Sequence, residues 1–453
     1  MCYNYKVWFF TNKSKGLIII FEQKQIGNGV YFYKYTDKRF KTNEIQVLLH
    51  TDFDELSRAD YAAAEYILGD CCRKFTTYSE LSKRLADMYG ASLYSRSTIT
   101  WFEKRCTSLT GSVLDDRFAL NGECLEAEMC DILCECLLNP NADGGSFDRQ
   151  VTELQKTQLI DDIDSVINEK ASYAAMRGSL AAFRGEPFEL PITGTHEQAE
   201  AVTPESAYAA YERMLKTARI EVLCAGASDF AEAEKIFTER LAALERGKIC
   251  ELIKKPSALK DKPETFADTL PMQQAILRMY FKAPQLEDAY FAGILLSCIL
   301  GGMTTSRFFL NIREKQSLCY YCSCVPNRIL RTLIVYSGVE PQNIERVKAA
   351  VLAELNDICE NGVTEEELNA ARLEMRNSLS SMNDNPMAMM NWYHNQIMDN
   401  RILTPEEYCA KLDEVTSERI RDAARMYSLD TVYTLCSPDF NAEESTGGEE
   451  AAE

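Results

Sequence analysis

Leu300-Gly301-Gly302-Met303-Thr304-Thr305-Ser306-Arg307-Phe308-Phe309-Leu310-Asn311-Ile312-Arg313-Glu314-Lys315-Gln316-Ser317-Leu318-Cys319-Tyr320-Tyr321 is the stretch on which the reading of this 453-residue chain turns. The apolar run 288–300 predicts a helix, and Gly301-Gly302 is most simply its C-cap. A second helix is predicted over 306–314, then strands over 318–325 and 332–338. Read from elementary chemistry, Arg313 is a cation that complements a helix C-terminus and Tyr320 is a cross-strand aromatic. Strand alternation predicts that Tyr321 faces away from Tyr320.

The elements around this stretch follow an order that occurs twice. In the second half, a strand over 275–281 precedes it. Helices over 343–360, from Thr364 with Glu367 to about 381, and from Thr404-Pro405 follow it. In the first half, strands over 30–33 and 44–49 lead to a helix opened by Ser57 with Asp60 as capping-box partner. Thr77 with Glu80 caps a second helix that stops at Gly90. Strands over 91–100 and 106–113 follow, then long helices over 123–138 and 147–183, and a strand over 219–225. Setting Tyr61 on Tyr290, Ser95 on Cys322 and Phe147 on Leu368 gives offsets of 229, 227 and 221 residues. The repeat predicts two similar α/β domains. The expected organisation is an N-terminal extension over 1–25, a first domain over 26–244, a charged linker over 245–268, a second domain over 269–436, and an acidic disordered tail over 437–453.

Composition narrows the chemistry. With 49 Lys+Arg against 69 Asp+Glu the net charge is −20, which argues against a nucleic-acid partner. The longest apolar run, Leu17-Ile18-Ile19-Ile20-Phe21, is too short to span a bilayer or form a signal-peptide core. Seventeen scattered cysteines read as reduced thiols, so a cytoplasmic location is expected. There are only three histidines, His50, His196 and His394, none of them in a motif. A zinc or nucleophilic hydrolase needs its imidazoles placed together, so each is read as a surface or hydrogen-bonded residue. Cys319-x-x-Cys322-x-Cys324 and the Cys130, Cys134, Cys136 cluster lack the paired knuckles of a closed zinc site and read as buried thiols. The Met387–Met390 segment reads as helix core, and Asp161-Asp162-Ile163-Asp164 as a solvated helix face.

The block 300–321 resembles the C-terminal domain of pitrilysin/insulinase-type zinc peptidases, in which a Gly-rich turn precedes Ser-Arg-Leu-Phe and then Arg-Glu-Lys-x-Gly-Leu-x-Tyr. Leu85-Ala86-Asp87-Met88-Tyr89-Gly90-Ala91-Ser92-Leu93 resembles the N-terminal domain of that family, especially its non-catalytic, YfmF-like members. The likeness covers about residues 26–440. It implies a metalloendopeptidase (LuxS/MPP-like) α/β (α+β) fold. Two homologous domains, each a mostly antiparallel sheet packed against helices, would form the half-shell of a peptidase chamber.

Active members carry His-x-x-Glu-His on the first long helix of the N-terminal domain, where two imidazoles bind zinc and the Glu polarises its water. The matching helix here, Asp60 to Asp70, has no histidine, and Glu65 alone cannot hold zinc. No catalytic residue and no metal ligand are therefore expected on this chain. In the family, an Arg and a Tyr seven residues apart in the C-terminal domain bind substrate carbonyls and stabilise the tetrahedral intermediate. Carried over, these are Arg313 and Tyr320, expected as substrate-binding residues. Ser317 stands where the family usually has Gly, a departure expected to shift the turn before Tyr320. The resemblance implies a non-catalytic subunit in a heterodimer. Its partner would be a zinc-bearing chain with His-x-x-Glu-His, and the peptide substrate would add to a sheet edge. The alternative it leaves open is an inactive homologue that binds peptides or acts as a scaffold. YfmF-like members are associated with modification of elongation factor P.

Overall fold

Thr42–Thr51 alternates half-buried and buried residues along TNEIQVLLHT, the two-residue period of a strand held in a core. In the computed structural model, which describes residues 5–12, 17–100, 102–253, 255–286, 289–327, 330–398 and 402–438, this strand is central to the first of two large sheets. The strands of the first half are β1 (Tyr5–Asn12), β2 (Leu17–Gly27), β3 (Val30–Thr36), β4 (Thr42–Thr51), β5 (Ser92–Ile99) and β6 (Arg105–Leu114). A two-residue hairpin follows, β7 (Ala142–Asp143) and β8 (Ser146–Phe147), and then β9 (Arg219–Gly226). The first sheet runs β1-β2-β3-β9-β4-β6-β5. The second half contributes β10 (Glu264–Thr269), β11 (Ala275–Lys282), β12 (Cys319–Asn327), β13 (Thr332–Val339) and β14 (Ser428–Cys436), in the order β10-β14-β11-β13-β12.

The two orders repeat each other pairing by pairing. β3 lies parallel to β9 and β10 parallel to β14, and the three pairings that follow are antiparallel in both sheets. The repeat read from element spacing is thus a repeat of topology. Its α/β character, with mostly antiparallel sheets against helices, is as expected. Among the described residues no helix is long and apolar enough to cross a membrane, and the cysteines are free thiols.

The linear domain boundaries read from the sequence are replaced by an exchange of segments. One compact unit comprises residues 1–165, 190–253 and 381–404, and the other 166–189, 254–380 and 405–453. The helix expected over 147–183 breaks. Arg149–Ser165 gives way to a 3-10 turn at Val166–Asn168 and then to Lys170–Ala182, and the chain changes unit at this break. Within the second unit, Lys170–Ala182 covers the sheet. Ala174 packs with Ile276, Tyr433 and Leu435, and a Cβ on Gly178 would strike the Tyr280 hydroxyl at 2.6 Å. The stretch read as a linker over 245–268 is also structured at both ends. The Gly247 and Cys250 N–H groups donate to the Lys216 and Thr217 carbonyls, and Glu264–Thr269 is strand β10. Residues 1–25, read as an extension without period, contain β1 and most of β2, paired antiparallel at the edge of the first sheet. The acidic tail lies almost wholly outside the described residues.

Both faces of the first sheet are covered. Ile220, Val222 and Cys224 of β9 join a core with helices Arg58–Asp70, Leu125–Leu138 and Pro204–Thr217. On the other face Tyr33, Tyr35 and Leu223 pack with Met389, Met390 and Tyr393 of helix Pro386–Met398, so the Met-rich segment is core as read. A polar knot sits in this second face. Glu221, 0% exposed, takes His50 Nε2 at 3.0 Å and His394 Nε2 at 2.8 Å on one carboxylate oxygen. On its other oxygen it accepts from Arg219 Nε at 2.8 Å and the Tyr33 hydroxyl at 3.2 Å. Burial would raise the Glu221 carboxyl, but the His394 and His50 imidazoles hold it well below the usual range. Burial likewise pulls His50 down, yet Cys106 and Glu221 lift it to about 10. The Glu221 contribution is present above its unfolded value of about 4.3 and is lost as pH falls further. The His50 contribution is complete below about 6.5 and is lost as pH rises towards 10. Glu221→Gln should cost about 3–5 kcal/mol, because cations remain buried without their anion. In urea melts across pH the deficit relative to the parent should be largest between about pH 5 and 6.5 and should shrink on both sides.

Candidate functional site

The helix that corresponds to the zinc helix of the family forms for local reasons. Ser57 accepts from the Asp60 N–H at 3.1 Å and the Asp60 carboxylate caps the Ser57 N–H in return, the capping box expected from the sequence. Set on Glu65, the spacing His-x-x-Glu-His puts its imidazole positions at Ala62 and Tyr66. Ala62 is 1% exposed and belongs to the core. The Tyr66 hydroxyl donates to Asp162 Oδ2 at 2.7 Å. Glu65 is buried. That burial raises its carboxyl, against hydrogen bonds from Ser95 and Ser97 and the charge of Arg105. Arg105 is itself buried, its guanidinium 5.0 Å from the centre of the Tyr61 ring and bonded to the Ile192 carbonyl at 2.7 Å.

A zinc ion does not fit these residues. One carboxylate remains, its burial raising it, and a guanidinium supplies positive charge nearby. Among the described residues no three His, Cys, Asp or Glu converge in a way that could hold a metal ion. His50 and His394, far apart in sequence, do meet, but on Glu221, buried with them in the core face just described. His196 is exposed and bonds Asp164 at 2.8 Å. All three are the hydrogen-bonded residues the sequence suggested. No sequence signal paired His50 with His394, because 344 positions separate them.

The Arg/Tyr block divides sharply into anchors and exposed groups. Gly301 is not a left-handed cap. It lies in a π-helical turn, Cys298–Gly302, pressed on β12, where a Cβ would meet the Cys324 N at 2.5 Å. Arg307 is fixed by Glu367 at 2.6 Å, Asp357 at 2.6 Å and the Gly362 carbonyl at 3.2 Å. Phe308, Ile312 and Leu318 are buried. Against this frame the side chain of Arg313, on the π-helical segment Phe308–Lys315, is 41% exposed. It lies over the Phe309 ring at 4.6 Å and reaches Glu314 at 3.6 Å. An exposed pair of that kind contributes little to stability.

The turn that carries the chain from Arg313 to Tyr320 keeps the shape that a glycine would give it. Ser317 has φ 49°, in the left-handed region, and its N–H bonds the Arg313 carbonyl at 3.1 Å. A non-glycine residue there costs about 1–2 kcal/mol. The departure from the family's Gly therefore introduces strain, while the turn stays left-handed. Tyr320 follows at a β-bulge. Cys319 pairs with Val339 and Tyr321 with Gly338, so Tyr320 has no partner residue on β13. Strict alternation would have sent Tyr320 inward with Cys322 and Cys324. Instead Tyr320 is 49% exposed and Tyr321 37% exposed, and the expected opposition of the two tyrosines fails at the bulge. The Tyr321 ring lies over Gly338 and 6.1 Å from that of Tyr336.

Restoring the lost spacing tests the zinc argument. Ala62→His with Tyr66→His should lower stability by about 1–3 kcal/mol through overpacking at position 62. Thermal melting and metal analysis should show a lower Tm and no stoichiometric zinc after dialysis.

Comparison with known proteins finds relatives of this chain. Residues 201–375 match the model of the peptidase M16 inactive domain. The probable inactive metalloprotease YmfF of Bacillus subtilis is 23% identical over 359 residues, 78% of this chain and 83% of that protein. A conserved protein from Enterococcus faecalis V583 superposes with TM-score 0.84 at 22% identity, covering 93% of this chain and 99% of its own. The peptidase M16 inactive domain from Pseudomonas fluorescens does so with TM-score 0.75 at 14% identity, covering 95% and 98%. At these identities and TM-scores the likeness is one of fold. With a first helix that has no histidine, a shared fold and a match to the inactive domain over residues 201–375, the chain is similar to the inactive members of the peptidase M16 family.

Proposed function

We propose that this chain is the non-catalytic subunit of a zinc peptidase and that it supplies Arg313 and Tyr320 to a partner chain bearing His-x-x-Glu-His and the zinc. The observation that carries the reading is the division within one block. Arg307, Phe308, Ile312 and Leu318 are anchored or buried, while Arg313 and Tyr320 are held outward. A left-handed serine and a β-bulge both work against intrinsic backbone preference, and strain of this kind collects at functional positions. A guanidinium fork and a phenol donor suit peptide carbonyls and a developing oxyanion. β12 is an edge strand, so its free side offers main-chain groups to an extended peptide.

The test is co-expression of this chain with a zinc-bearing family chain from the same genome, followed by co-purification and a peptide-cleavage assay. Arg313→Ala and Tyr320→Phe should each lower kcat of the assembled pair by roughly 10²–10³-fold, the usual cost of one oxyanion donor. Tyr321→Phe should leave it near the parent value. A chain that purifies alone, or a pair indifferent to all three changes, would overturn the reading.

A further inference from the structure

We propose that Cys319 and Cys322 form a dithiol that peroxide oxidises to a disulfide, and that closing this bond re-aims Tyr320. The inference concerns the chemistry of this chain by itself and does not rest on the partner proposed above. In a regular strand, residues three apart face opposite ways and lie about 10 Å apart. The bulge at Tyr320 changes both. Cys319 stands opposite Val339 and Cys322 opposite Ser337, two residues apart on β13 and therefore on one face. That spacing, about 6.6–6.8 Å of strand, lies at the upper edge of the Cα separations that a disulfide accepts. Only Tyr320 and Tyr321 stand between the two cysteines, so the tightening needed to close the bond falls on the bulge.

The two thiols shift each other's titration, Cys322 lowering Cys319 and Cys319 raising Cys322. The Ser337 hydroxyl, on the residue opposite Cys322, donates to the Tyr321 carbonyl at 2.7 Å. The Cys322 contact, against the effect of burial and aided by Ser337 and the charge of Arg313, brings Cys319 down to about 7. Cys319 is half-buried and so within reach of a small oxidant, whereas Cys322 is buried behind it. Cys72 and Cys136 form a comparable pair, with Cys72 lowered to about 6 by its hydrogen bond to Cys136, but both are 0% exposed. Cys298 and Cys324 are buried thiols that burial pushes up to about 12. Low thiol pKa and access coincide at Cys319.

The chemistry balances with hydrogen peroxide as oxidant. The Cys319 thiolate attacks one peroxide oxygen and an S–O bond forms as the O–O bond breaks. The departing hydroxide takes a proton and leaves as water. Cys322, giving up its proton, then attacks the Cys319 sulfur, and the sulfenic hydroxyl leaves with that proton as a second water. Two thiols lose two electrons in total, and one peroxide becomes two waters.

The experiment treats the full chain with peroxide at neutral pH and maps peptides by mass spectrometry without reduction. Cleavage after Tyr320 and Tyr321 separates the two cysteines, so a surviving Cys319–Cys322 link is diagnostic. The expected result is that link in the parent and in Cys324→Ser, with none in Cys319→Ser. In Cys322→Ser a dimedone adduct should appear on Cys319, because the sulfenic acid has no resolving thiol. Tyr320→Trp supplies the second readout. Its added fluorescence should change on oxidation, return with dithiothreitol, and stay constant when combined with Cys322→Ser. A dimedone adduct on Cys319 of the parent without the link overturns the dithiol, and a link that leaves the Tyr320→Trp signal unchanged overturns the re-aiming.

Discussion

A single buried carboxylate organises the first unit. Glu221 lies in the middle of the first sheet, with Arg219 and Tyr33 on one oxygen and two imidazoles on the other. A charge there is tolerable only if every lone pair is met, and the partners come from three strands and a helix. His394 arrives from residue segment 381–404, which the chain sends back to the first unit after building helix Glu365–Met382 in the second. The surrounding apolar face would accept many helices. The requirement for an imidazole at Glu221 makes the choice specific, since a helix without one would leave part of the carboxylate unsatisfied. The exchange of segments between the two units follows the same logic on the other side, where Lys170–Ala182 supplies a small residue, Gly178, against Tyr280.

Duplicated topology gave the two units different fates. In the first, helix Arg58–Asp70, which the family resemblance sets on the zinc helix of active peptidases, is ordinary core. Ala62 fills space, Tyr66 bonds Asp162, and the one remaining acid, Glu65, is met by two serines beside a buried arginine. These are the changes expected once a metal no longer compensates for clustered polar groups, since apolar packing and satisfied hydrogen bonds are more stable than an empty ligand set. In the second unit the corresponding economy did not occur. Arg313 and Tyr320 stay exposed behind a left-handed serine and a bulge, while their neighbours carry the packing.

The bulge connects this exposed pair to the thiol chemistry beside it. One extra residue in β12 turns Tyr320 outward and, by the same change of parity, brings Cys319 and Cys322 onto one face. The outward aromatic and the pair of cysteines on one face are therefore two consequences of one backbone irregularity.

Much of this was legible from the sequence. The order of elements, the Ser57–Asp60 cap and the repeat near half the chain length follow from spacing and residue type, because local periodicity and capping are short-range physics, while the missing zinc histidines were read through the family resemblance. The split between anchored Arg307 and exposed Arg313 was not legible, since both are arginines six residues apart and only their neighbours differ. Neither were the meeting of His50 and His394 on Glu221, the return of 381–404 to the first unit, or the strand formed by 264–269 in a stretch read as linker. Those depend on pairings across hundreds of residues, and nothing in a local window encodes the far partner. The same holds for the bulge. Alternation along Cys319-Tyr320-Tyr321-Cys322 predicts opposite faces for its two cysteines, and only the register against β13 reverses that assignment. Sequence by itself determined which elements form and which residue types the chain has for chemistry. Tertiary structure decided which polar groups are buried together and which are left facing out, because that choice is made by non-local packing.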